Sequence, residues 1–206
     1  EELSGRARPV FAVGPEDDWT AWASFEQTNA GPKAGQLDDT ATGTPGDHPS
    51  VACDDGESRC TITGTITEDL TLTPNYTYVL EGGVFVGDKD AVNDGPTLTI
   101  EPGVTIYGDT ANLSFLTVSR GAQIQAQGTA DKPILMTSIQ SIEDNGNPGD
   151  WGGLIINGQA PLNSGATAQG EGGPGTDGGE DPADSSGTLE YVEVSFAGKQ
   201  ITSDNE

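Results

Sequence analysis

The chain has 206 residues, 33 acidic against 8 basic, for a formal net charge of −25. Such a surface repels phosphate backbones and anionic lipid head groups, which argues against nucleic acid or direct membrane contact. No apolar run nears the roughly 18 residues of a membrane span, and 30 Gly with 13 Pro suit one turn-rich all-β domain.

Residues 1–52 carry Pro9, Pro15, Pro32, Pro45 and Pro49 and no alternating pattern, so they read as an extended N-terminal arm. Within it, Pro15 followed by Glu16, Asp17 and Asp18 is a helix-start signal, and Trp19, Trp22 and Phe25 then share one face of a short helix. That face either packs on the protein's own side or anchors a partner chain. The chain begins at Glu1 without Met, as a processed or partial chain would. Cys53 and Cys60 are its only cysteines, and the close pair reads as a disulfide sealing the start of the next domain. Six intervening residues do not suit a redox pair, and the single His48 leaves a zinc site short of ligands.

From residue 53 onward one phrase recurs. Leu80-Glu81-Gly82-Gly83-Val84-Phe85-Val86, Ile100-Glu101-Pro102-Gly103-Val104-Thr105-Ile106 and Val118-Ser119-Arg120-Gly121-Ala122-Gln123-Ile124 are each strand, Gly corner, strand. Alternation places Leu98, Ile100, Val104, Ile106, Leu116, Val118, Ala122 and Ile124 inward, and Thr97, Thr99, Thr105, Thr117 and Gln123 outward. Stacked at about 4.8 Å, these make apolar ladders inside and polar ladders outside. The expectation is an all-β parallel solenoid over 53–206 with coils of about 18–20 residues, Gly83, Gly103 and Gly121 marking equivalent bends. Ile134 and Met136, then Leu154 and Ile156, continue the ladder, and Val192, Val194 and Phe196 follow a loop insertion at 163–187.

Site chemistry is sparse. Asp88, Asp90, Asn93 and Asp94 offer the hard oxygens that Ca²⁺ prefers, as do Asp144, Asn145, Asn147 and Asp150, though neither loop has EF-hand spacing. Asp177, Glu180, Asp181 and Asp184 form a third acidic cluster. No residues are assigned to catalysis: His48 has no evident partner for a triad, nothing singles out two carboxylates, and Arg120, the only basic residue in the aligned repeats, reads as a surface residue. Thr61-Ile62-Thr63, Thr65-Ile66-Thr67, Thr71-Leu72-Thr73 and Thr97-Leu98-Thr99 resemble ice-binding arrays, but later coils carry Gln123, Gln125 and Asn157 instead. Asn75-Tyr76-Thr77 and Asn112-Leu113-Ser114 satisfy the glycosylation pattern.

Asp150-Trp151-Gly152-Gly153-Leu154-Ile155-Ile156-Asn157-Gly158, with Gly128-Thr129-Ala130-Asp131-Lys132-Pro133-Ile134 before it and Leu189-Glu190-Tyr191-Val192-Glu193-Val194 after it, resembles a family of secreted bacterial right-handed parallel β-helix proteins. These are cell-surface proteins or lipoproteins of Bacteroidetes-like and marine bacteria. The resemblance covers about 80–206. It implies a right-handed β-helix in an extracellular setting, carries over no catalytic residues, and suggests further coils beyond 206. The expected role is a structural or adhesive cell-surface component, not an enzyme, that self-associates or takes a protein partner through the solenoid end and the N-terminal arm. The competing role is a polysaccharide-binding or polysaccharide-cleaving β-helix with Ca²⁺ as cofactor.

Overall fold

A computed structural model describes residues 47–54, 58–89, 94–163, 165, 167–169 and 175–201, all within one unit, Leu37–Glu206. Trp19, Trp22 and Phe25 lie outside the described residues, as do Asp90 and Asn93. The chain winds as a right-handed parallel β-helix whose fuller coils have three sides. Side 1 holds the first half of β2 (Arg59–Ile66), the first half of β4 (Thr77–Val86), β6 (Thr105–Gly108), β9 (Ile134–Ser138) and β14 (Val192–Val194). Side 2 holds the second halves of β2 and β4, then β7 (Phe115–Val118) and β10 (Leu154–Ile156). Side 3 holds β3 (Leu70–Leu72), β5 (Thr97–Ile100), β8 (Gln123–Gln127) and β13 (Gly187–Glu190).

Register follows the apolar alternation. Cys60, Tyr78, Ile106, Met136 and Val194 stack on side 1, Ile66, Val86, Val118 and Ile156 on side 2, and Leu70, Leu98, Ile124 and Gly187 on side 3. Their inward members form one continuous core, with Ile62, Leu72, Leu80, Ile100 and Ile124 almost fully buried. At Gly187 only glycine fits, because φ is 130° and a Cβ would collide with the Ile124 carbonyl oxygen.

The coil length departs from expectation. Thr77 lies over Arg59 and Phe85 over Thr65, which is the short step expected. Thr105 over Thr77 and Thr117 over Phe85 are steps more than half as long again. Gly83, Gly103 and Gly121 are not equivalent bends. Gly83 falls inside β4 where side 1 turns into side 2, Gly103 between β5 and β6 where side 3 turns into side 1, and Gly121 between β7 and β8 where side 2 turns into side 3. Every corner of a three-sided coil needs the same strand, glycine, strand phrase, so the step from one such phrase to the next like it passes two sides and lands on a different corner. For the same reason Met136 stacks on Ile106 of side 1, while Leu154 stacks on Leu116 of side 2.

At the N-terminal edge, β1 (Val51–Cys53) pairs antiparallel with β2, so the first rung's edge is occupied rather than bare. Cys53 and Cys60 stand directly opposite in that pair and form the disulfide. His48 ties the entering chain down, its Nδ1 accepting from Ser50 N at 3.2 Å and its Nε2 donating to Glu68 O at 3.3 Å.

Candidate functional site

Outward residues of sides 1 and 2 are covered in part: Thr61, Thr77 and Thr105 are half-buried and Thr63 and Thr65 exposed. Val79 and Thr137 on side 1, and Phe115 and Thr117 on side 2, are buried although they point away from the core. On side 3, Thr71, Thr99, Gln125 and Thr188 stack in register and stay accessible, with Thr97 over Gln123 alongside. That ladder is uncharged in a chain of net charge −25.

The second candidate lies where side 2 turns into side 3. β10 continues past Ile156 into Asn157, whose N–H bonds Val118 O at 2.9 Å, and the chain then leaves the coil until Gly187. The excursion carries a short hairpin of β11 (Ala168–Gln169) and β12 (Thr176–Asp177) and returns over the corner formed by Ser119, Arg120 and Gly121. Gly178 N donates to Gly158 O at 2.8 Å, Asp177 Oδ1 accepts from Gly158 N at 2.8 Å, and Asp184 Oδ2 accepts from Gln159 N at 2.7 Å. Beneath this cover Arg120 is 8% exposed, one terminal guanidinium nitrogen donating to Gly178 O at 2.7 Å. Arg120 is therefore not a surface residue: the loop's backbone closes over it.

A family model described as a pectate-lyase-like β-helix domain matches residues 64–206. The chain belongs to that family. No curated protein and no solved structure matches it.

The described part of this pectate-lyase-like helix does not gather the acidic loops into one site. Asp88 and Asp94 are exposed, on either side of a stretch outside the described residues. In the second loop, Asp150 Oδ2 accepts from Ser138 Oγ at 2.7 Å and from Asn147 N at 3.0 Å, while Asn147 Nδ2 donates to Asn145 O at 2.7 Å. Its oxygens thus serve a self-bonded turn. Asp181 likewise accepts from Ala183 N at 2.9 Å. Among the described residues no three His, Cys, Asp or Glu side chains group as a metal site. No helix among them is long and apolar enough to cross a membrane, and the disulfide suits an oxidising compartment.

Two carboxylates have shifted acidity for opposite reasons. Burial raises the Asp109 carboxyl's pKa, but N–H groups of Ala111 and Asn112 and the Asn112 amide outweigh it and hold the group below its ordinary range. Glu193, over Leu135 on the outside of side 1, is pushed up by burial. Sequence reasoning misses Asn157 as part of the covered corner. Its signal is a polar residue ending an apolar strand just before a glycine, at the point where the long excursion begins.

Proposed function

We propose that this β-helix is an extracellular structural or adhesive component of the cell surface rather than a polysaccharide-cleaving enzyme. The observation that carries the reading is the state of Arg120 and its neighbouring acids. A hydrolase needs paired carboxylates open to a sugar chain, and a lyase acting on acidic sugars needs cationic groups open to it as well. Here the guanidinium lies under a loop, while Asp177 and Asp184 accept backbone N–H groups of Gly158 and Gln159. Those acids support the fold instead of facing a groove. Ile156 on β10, Leu189 on β13 and Val194 on β14 continue the inward ladders of Val118, Ala126 and Met136, and their exposed apolar surface is of the kind that a further coil or a second chain covers. Secretion, in Bacteroidetes-like or marine bacteria, is part of the same reading.

Polysaccharide binding is the second reading. It is favoured by the family match and by the accessible Thr and Gln ladder of side 3, whose hydroxyls and amides both donate and accept, as sugar hydroxyls do. Calcium at Asp88, Asp90, Asn93 and Asp94 belongs to this reading. Light scattering with and without EDTA, alongside incubation with acidic and neutral polysaccharides, separates the two. Concentration-dependent assembly without new unsaturated or reducing ends supports the first reading. Release of such ends by the purified protein overturns it.

A further inference from the structure

Four buried side-chain polar atoms among the described residues have no hydrogen-bond partner: Thr73 Oγ1, Thr117 Oγ1, Arg120 Nε and Asn157 Nδ2. Two of these, on Arg120 and Asn157, belong to the corner where side 2 turns into side 3. Thr117 lies beneath Ile155 in the β7 to β10 register, and Asn157 continues that register beside Ser119, next to Arg120. Asn157 and Arg120 are also joined through the loop, since Arg120 donates to Gly178 O and Gly178 N donates to Gly158 O. Gly175 closes over the amide: a Cβ there would stand 2.7 Å from Asn157 Nδ2.

The chemistry of this set is one-sided. Arg120 Nε–H and the Asn157 amide N–H are donors only. Arg120 is 8% and Asn157 3% exposed, so solvent does not satisfy them. A buried guanidinium is costly unless it is paired, and leaving its N–H unmade costs more than an ordinary hydrogen bond returns. A chain with 33 acidic residues could easily have supplied a carboxylate. Yet among the described residues the arginine that pairs with an acid is Arg59, with Asp54, and the loop's own Asp177 and Asp184 are turned onto the N–H groups of Gly158 and Gln159. The loop thus covers the cation while keeping both carboxylates bonded elsewhere.

We propose that this corner is an anion site, in which Arg120 Nε and Asn157 Nδ2 hold a small monovalent inorganic anion such as chloride beneath the Gly175–Gly178 stretch. The anion completes the guanidinium's hydrogen bonding and fastens the long excursion to the coil.

The test uses the full chain at fixed, high ionic strength, so that screening of the net charge is constant. Chloride replaces gluconate stepwise while the thermal unfolding midpoint is followed. The midpoint should rise with the logarithm of chloride once its Kd is passed, and Arg120→Lys, which keeps the charge but loses the Nε–H, should need on the order of tenfold more chloride. Crystals of the wild-type protein soaked in bromide should give an anomalous peak at the corner, a readout that does not depend on any variant folding. A midpoint indifferent to anion identity, or bromide-soaked crystals with only water at the corner, overturns the proposal.

Discussion

Trp151 gives the sharpest test of how the last coils are held to the rest. It is fully buried, and its ring lies against Gly108, where a Cβ would stand 2.6 Å from the indole. Its Nε1–H donates to Ser195 O at 2.8 Å, and its own carbonyl accepts from Lys199 N at 2.9 Å. One side chain therefore joins β6 of side 1 to the segment following β14. Trp151→Ala removes the ring, a loss of about 3–5 kcal/mol for a buried aromatic, and strips the Ser195 carbonyl of its donor, about 1–3 kcal/mol more if that group stays dry. A cavity of that size collapses in part, so the expected total is about 4–6 kcal/mol, a large share of the roughly 5–15 kcal/mol that holds a domain together. Because each coil of a solenoid contacts only its neighbours, the loss should be local. Hydrogen exchange by mass spectrometry should show β10, β13 and β14 losing protection while β2 to β5 keep theirs. A denaturant midpoint shift worth less than about 1 kcal/mol, or protection lost evenly through all coils, would refute the reasoning.

Replacing Cys53 and Cys60 with Ser opens a loop whose closure contributes about 2.5 kcal/mol; the β1–β2 pair should exchange fastest, and unchanged protection there would count against its role as an edge seal. Gly187→Ala drives a Cβ into Ile124 O at φ 130°, and should cost more than about 3 kcal/mol or prevent folding; a soluble variant with wild-type melting would contradict the register of β13 on β8. Glu193 has its folded pKa raised by burial, so its charged form opposes folding at neutral pH, and that penalty is relieved as pH falls through the folded value. Glu193→Gln should therefore melt higher than wild type at pH 7, and the difference should shrink on acidification. Asp109 has the opposite sign: its lowered pKa gives stability that is full above the unfolded value and lost as pH falls through the folded one, so Asp109→Asn should flatten the acid limb of a stability–pH curve.

The inward ladder is legible in the sequence because alternation needs only two neighbouring positions to agree, as at Leu98 and Ile100 or Leu116 and Val118. The disulfide is legible for a similar reason, since Cys53 and Cys60 are close enough in sequence to be facing residues of one hairpin. Coil length is not legible from spacing. A glycine corner looks the same at all three bends, and only the hydrogen-bonded register distinguishes Gly83 from Gly103 and Gly121. Arg120 and Trp151 escape for a different reason. Trp151 enters the sequence reading only as part of a family-like phrase, and the room that Gly108 leaves for its ring shows only in the fold. Arg120 sits at a bend that alternation assigns to solvent, and the segment that covers it contains almost no apolar residues by which packing could be foreseen.

That last point bears on where such a protein can vary. The stretch of chain between stacked residues is more than three times longer from Ile124 to Gly187 than from Arg59 to Thr77, yet the strands remain paired in parallel. All the added length is therefore absorbed at corners, where backbone can leave and return without disturbing the ladders. A corner excursion that cannot bury apolar surface must be held by polar contacts instead, and here it is held by Arg120, Asp177, Asp184 and the amides of Gly158 and Gln159. Closing the loop over Arg120 makes that corner a structural joint, while the Thr and Gln ladder of side 3 stays accessible.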